Sequence, residues 1–382
     1  MGSKIRILSP RSITTALAAC AAAVCLLLVG ARTLRAQTPN GTWAMTSSDR
    51  PGYVQFSLTV SRPGHHMQEE SDWPLISFQG LDTSNKARHD VKFNVTRDAG
   101  RLDFDGFLEN GEGAGVFHFF ADSKYPQEMS SLGFDGIDAE KQFAMAMHDV
   151  SLDFARQMKA EHISGLDTDK LIAFRIFGVD KKFIDDLRSS GLNITDSDKL
   201  VAFRIHGVTP EMVRALHQQG YSPDEDTLIA LRIHGATSDW IQQMSQAGYS
   251  HVDLEKLIAF RIHGVSPDFV AQLSHFGYTH LDPDELIAFR IHGVSPDFVA
   301  QLDHYGYSRL DADTLVNFRI HGVSPEFVAA LDKLGYHHPE PDQLVDMRIH
   351  DVTPEYISGL RSRGMQNLTI DQLVNMRIHG ID

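Results

Sequence analysis

The chain has 382 residues, with 35 Lys and Arg against 50 Asp and Glu, for a formal net charge of −15. So acidic a chain repels nucleic acid and anionic lipid, which argues against both as partners. Its two cysteines, Cys20 and Cys25, fall within the first 36 residues, so beyond them the sequence has no disulfide, thiolate nucleophile or cysteine-held zinc.

Residues 1–36 read as an export signal. Lys4, Arg6 and Arg11 make a basic opening, Ile13 to Gly30 is apolar, and a cleavage site follows Leu34-Arg35-Ala36. The competing reading is an uncleaved anchor, because about 18 apolar residues sit at the low edge of a span. Arg32 and Arg35 just after the run weaken the charge asymmetry of an anchor. Leu17-Ala18-Ala19-Cys20 resembles a lipobox, but most of the apolar run follows the cysteine. The expectation is an exported protein, periplasmic or extracellular, with an outward-facing membrane anchor as the alternative. Removing the segment's five basic residues leaves 30 against 50 acidic ones, a net of −20.

Residues 37–121 alternate apolar and polar side chains. Val54, Phe56, Leu58 and Val60 form one such series, Val91, Phe93 and Val95 another, and Leu102 and Phe104 a third. Period two predicts half-buried strands, with turns at Asp98-Ala99-Gly100 and Glu109-Asn110-Gly111 and a last strand over 115–120. The expected fold is a small antiparallel sandwich or curled sheet of five to seven strands. His65, His66, Glu69, Glu70 and Asp72 cluster after Pro63-Gly64, where a loop is expected. The cluster could hold a hard cation or zinc, but the chain has no His-Glu-x-x-His spacing. A solvated loop is the preferred reading, with no cofactor and no metal; a metal-dependent hydrolase ranks last.

From residue 122 one phrase recurs, in its cleanest form Leu286-Ile287-Ala288-Phe289-Arg290-Ile291-His292-Gly293-Val294-Ser295-Pro296-Asp297-Phe298. Its arginine falls at Arg175, Arg204, Arg232, Arg261, Arg290, Arg319, Arg348 and Arg377, at steps of 29 residues with a single step of 28. A fixed period of this size is the mark of a repeat array. Ser295 reads as a helix N-cap with Pro296 at the first helical position, and Gly306 as the stop of that first helix. Asp282 and Glu285 read as a capping box for a second helix that ends at Gly293. Helices of two or three turns need neighbours to be stable, so residues 122–382 predict an α-solenoid of about eight two-helix repeats. A degenerate unit, with Ala146 in the arginine slot, joins the array to the β domain. The predicted class is α+β: 1–36 signal, 37–121 β domain, 122–382 repeats.

A wheel at about 100° per residue places Leu286, Ile287, Phe289 and Ile291 on an apolar stripe with Arg290 in its middle. The arginines are therefore expected as a structural ladder, paired with helix C-terminal carbonyls or with the acid seven residues on, such as Asp268 after Arg261 or Asp297 after Arg290. Carboxylate or phosphate binding in an arginine-lined groove is the functional alternative. The same wheel puts His206, His234, His263, His292, His321, His350 and His379 on the opposite face. There they serve as last-turn dipole partners, or as a titratable row that a partner reads; this row is the candidate binding site. No catalytic residues are assigned.

The phrase Arg-Ile-His-Gly-Val-Ser/Thr-Pro-Asp/Glu-Phe, with its Gly-Tyr stop, resembles repeats of exported bacterial proteins. It is similar to extensions of membrane metallopeptidases of the beta-lactam-sensor (antirepressor) type. The resemblance covers 122–382, without the peptidase half. It implies an exported, repeat-built extension, and proteolysis does not carry over. The expected function is a non-catalytic binding or scaffold protein with a protein partner. The alternative is a sensor working with a membrane metallopeptidase. End-to-end self-association through the C-terminus is a further expectation.

Overall fold

The computed structural model describes residues 40–62 and 65–381, and side chains outside 61–66. The export signal expected over 1–36 lies outside the described residues. Six strands come first: β1 (Asn40–Ser47), β2 (Tyr53–Arg62), β3 (His65–Pro74), β4 (His89–Arg97), β5 (Gly100–Glu109) and β6 (Glu112–Ala121). They form one antiparallel sheet in the order β3-β2-β1-β6-β5-β4. The alternating residues read from the sequence are its buried face, with Val54, Phe56, Leu58, Val60, Val91, Phe93, Val95, Leu102 and Phe104 all buried. In a flat sheet β2 and β5, three strands apart, would be about 14 Å from each other. Yet the rings of Phe56 and Phe104 are centred 5.2 Å apart, so the sheet curls around an aromatic core that also holds Trp43 and Phe93.

One segment differs from expectation. The polar stretch from His65 is not a loop but strand β3, paired with β2 from Arg62↔His65 to Tyr53↔Pro74. Backbone pairing is indifferent to side-chain polarity, and Trp73 near the strand's end anchors it in the core.

Eighteen helices follow in a repeated arrangement, so the class is α+β. Helices α1 (Tyr125–Ser131), α2 (Ala139–Met147), α3 (Leu152–Ala160), α4 (Thr168–Phe177), α5 (Lys181–Ser189) and α6 (Ser197–His206) come first. Next are α7 (Pro210–Gln218), α8 (Glu225–Ile233), α9 (Ser238–Gln246), α10 (Leu254–His263), α11 (Pro267–Ser274) and α12 (Pro283–His292). The last are α13 (Pro296–His304), α14 (Ala312–His321), α15 (Pro325–Lys333), α16 (Pro341–Ile349), α17 (Pro354–Ser362) and α18 (Ile370–Ile378). Odd-numbered helices are the first, and even-numbered the second, of nine two-helix units, one more than the repeat count suggested. The extra unit is the degenerate one, α1 and α2.

The predicted caps form. Ser295 accepts a 3.1 Å hydrogen bond from the Phe298 amide, and Asp282 and Glu285 close a capping box. Contacts divide the chain into two compact units, one through Arg214 and one from Ala215. Within the second, first helices lie along first helices and second along second.

In the first unit the sheet grips the first repeat. Phe117 and Phe119 pack on Phe143 of α2, with ring centroids 5.8 and 5.3 Å away. The guanidinium of Arg97, at the end of β4, donates to the Ala146 and Met147 carbonyls while lying over the Trp73 ring. Burial holds the Arg97 guanidinium down to about 10. Leu152 at the start of α3 donates its amide to Asp98 at 2.8 Å, and Gln142 donates to the Ala99 and Asp122 carbonyls.

Candidate functional surface on the second helices

The repeated arginine fastens one unit to the one before it. Arg290 donates from Nε to the His263 carbonyl at 3.3 Å, and Arg319 to the His292 carbonyl at 3.2 Å. Arg261 and Arg348 do the same to His234 and His321. The guanidinium lies over the aromatic ring of the intervening first helix, 4.8 Å from the centroid for Arg290 on Phe269 and 4.9 Å for Arg319 on Phe298. The expected carbonyl partners are thus present. The expected acids are not: no ion pair joins Arg261 to Asp268 or Arg290 to Asp297 among the described residues. Nor are these arginines sunk in the core, since Arg261, Arg290 and Arg319 are exposed. A long side chain leaves the apolar stripe along the preceding helix end and keeps its charge at the surface.

The glycine of the phrase belongs to this fastener. Gly293 has a left-handed φ of 74°, and a Cβ there would meet the Arg319 Nη2 at 2.9 Å. Where aspartate replaces the glycine, it adopts the left-handed turn itself and binds the guanidinium. Asp149, with φ 55°, pairs with Arg175 at 3.0 Å, and Asp351, with φ 54°, pairs with Arg377.

His234, His263, His292 and His321 contribute their carbonyls to this ladder, not their rings. Arg204 makes the same bond, 3.0 Å, to the carbonyl of Phe177, where the histidine is absent. The rings are not on an open outer face as the wheel had it. His206, His234, His263, His292, His321 and His350 are half-buried, and only His379 is exposed, with its Nδ1 2.9 Å from the Asn375 carbonyl oxygen. Burial lowers the imidazoles of His206 and His234 below the usual histidine range.

What does face outward is the isoleucine between Arg and His. Ile291 is 48% exposed, Ile320 52%, Ile349 51% and Ile378 56%. This overturns the placement of Ile291 on the core stripe: Leu286, Ile287 and Phe289 fill the core of α12 without it. Seven and three residues earlier on the same face stand an acid and a small or polar residue. These are Asp313 and Asn317 in α14, Asp342 and Asp346 in α16, and Asp371 and Asn375 in α18, all exposed. Between α16 and α18 this face opens into a cleft of ≈ 230 Å³ lined by Gln343, Asp346, Asp371, Val374, Asn375 and Ile378.

A second ladder went unread in the sequence. Where a tyrosine follows the glycine stop, it donates its hydroxyl to a carbonyl at the next interhelix turn. Tyr249 reaches Leu281 at 2.9 Å, Tyr278 reaches Leu310 at 2.7 Å, Tyr307 reaches Pro339 at 2.7 Å and Tyr336 reaches Leu368 at 2.8 Å. His338 then stacks on the Tyr307 ring, centroids 4.4 Å apart. The Gly-Tyr spacing itself was the available signal.

Of the candidate metal cluster, the side chains of His65 and His66 lie outside those described, and Glu69 is 2.9 Å from Nε2 of His148 in the first repeat. Among the described residues no three His, Cys, Asp or Glu side chains gather as a metal-holding group. No described helix is long and apolar enough to cross a membrane. Compared with known proteins, the chain matches no family model and no curated sequence.

Proposed function

We propose that this chain is a non-catalytic binding protein, exported from the cytoplasm, whose repeat array docks polypeptide partners on the exposed face of its second helices. One observation carries the reading: an isoleucine row, half exposed, at the same slot of successive helices. Solvent-facing helix positions favour Lys, Gln or Glu over the β-branched isoleucine, so a repeated exposed isoleucine is costly unless something covers it. The fasteners support the reading as well. They use backbone carbonyls, aromatic rings and glycine, and so leave the outer face free to serve recognition.

A photo-crosslinking amino acid at Ile320 or Ile349, in cells expressing the full chain, tests it. The expected result is a discrete covalent adduct to a polypeptide from the isoleucine positions and none from Gln301 on first helix α13. Adducts of equal yield from all three positions, or from none, overturn the proposal.

A further inference from the structure

The acids beside the isoleucine row are balanced by lysines in some repeats and not in others. In the first compact unit Lys141 pairs with Asp169 at 2.9 Å, and Lys170 pairs with Asp198. In the second, Lys256 of α10 pairs with Asp284 of α12. The lysine slot then changes to Glu285, Thr314 and Gln343, each tied to the cap of its own helix. Asp313, Asp342 and Asp371 consequently have no basic side chain within ion-pair reach among the described residues, and Asp346 adds a fourth carboxylate. Three of the four stand in the first turn of their helices, where they also complement the helix dipole; Asp346 stands beyond it. The arginines of the same helices do not neutralise this row. Their guanidinium groups are held over Phe298, Phe327 and Tyr356 of the first helices.

The three second helices α14, α16 and α18 therefore carry unbalanced carboxylates along one edge of the face and exposed Ile320, Ile349 and Ile378 along the other. We infer that this stretch, resting on the function proposed above, takes a cationic polypeptide segment with recurring apolar side chains. Charge complementarity selects the occupant. A second copy of a chain with a net charge of −15 would set carboxylate against carboxylate, and an anionic bilayer would be repelled. Packed helices stand roughly 10 Å apart, about one turn of a polyproline II segment with its three residues per turn and ~3.1 Å rise, so a segment in that conformation meets one isoleucine with every third side chain. Basic residues between them reach the carboxylates, and the cleft between α16 and α18 receives one apolar anchor.

The test uses the full chain lacking residues 1–36 and three labelled peptides of about twelve residues. One has leucine at every third position with lysine between, one has glutamate in place of lysine, and one has glycine in place of leucine. The lysine–leucine peptide is expected to bind, and to weaken about tenfold or more between low and high salt, because the charge pairs are solvent-exposed and screened. Replacing Asp313, Asp342, Asp346 and Asp371 together by asparagine, or Ile320, Ile349 and Ile378 by serine, should each cost about tenfold or more in affinity. Replacing Asp284, which Lys256 already balances, by asparagine with Ile262 and Ile291 by serine should change it less than about twofold. Thermal melting confirms that each variant is folded. Equal binding of the glutamate–leucine peptide, or losses from the α10 and α12 changes as large as those from α14 to α18, overturn this inference while leaving the proposed function standing. Dimerisation through Ile320 and Ile349 would overturn it too. The proposed function falls separately, on its cross-linking outcome.

Discussion

Each residue of the Arg-Ile-His-Gly phrase has its own task. Arginine ties a helix to the carbonyl end of its predecessor, isoleucine faces outward, histidine lends its carbonyl, and glycine clears space for the next arginine. Gly293→Ala adds a Cβ at 2.9 Å from the Arg319 Nη2 in a left-handed turn, and should destabilise by about 1–2 kcal/mol in urea unfolding. Gly293→Asp should lose less than the alanine variant, because Asp149 and Asp351 occupy that slot with a guanidinium partner. An aspartate variant weaker than the alanine one would disprove the exchange. Arg290→Ala loses a hydrogen bond and a ring contact and should cost about 1–3 kcal/mol. His292→Ala should cost less than about 1 kcal/mol, because Phe177 supports the same fastener without an imidazole.

Between elements, hydrogen bonds to backbone carbonyls recur at the spacing of the repeat. Burial pushes the hydroxyls of Tyr249, Tyr278 and Tyr307 up to about 12. A phenol raised in the folded state stabilises the protein fully below its unfolded value near 10 and ceases to do so as pH rises through about 12. The second compact unit should therefore hold its stability to about pH 10 and lose it steeply over the next two units. In a variant with all three changed to phenylalanine, the alkaline transition should flatten, while neutral-pH stability drops by about 1 kcal/mol per lost bond. Circular dichroism against pH measures both. An unchanged alkaline midpoint in that variant would show that the ladder is not the cause.

At the scale of the whole molecule, the sheet and first repeats form one compact unit, and Arg97 is where the two architectures meet. From a strand it binds the Ala146 and Met147 carbonyls, at the same helix end where Arg175 binds the His148 carbonyl. Arg97→Ala leaves two helix-end carbonyls without their donor, a loss of about 2–4 kcal/mol. Hydrogen exchange should quicken over 125–160 and stay unchanged over 215–381. A uniform response, or none, would remove Arg97 from this role.

The 29-residue period, the alternation of strands β2, β4 and β5, and the caps at Ser295 and Asp282 were legible from residue order, because each depends on neighbours a few positions away. The degenerate first repeat was legible from its spacing, 29 residues before Arg175, although it lacks the arginine that marks the others. Strand β3 was hidden because its pairing runs through backbone atoms that every sequence shares. The wheel put Arg290 in the middle of the core stripe, where the structure leaves it exposed, and it could not tell which of four apolar residues on a helix of about three turns would be covered. The sequence by itself determined the helices, their caps and their repetition. Only the tertiary structure decided that Ile291 faces solvent and Phe289 does not, because burial depends on what the adjacent repeat brings against each side of a short helix.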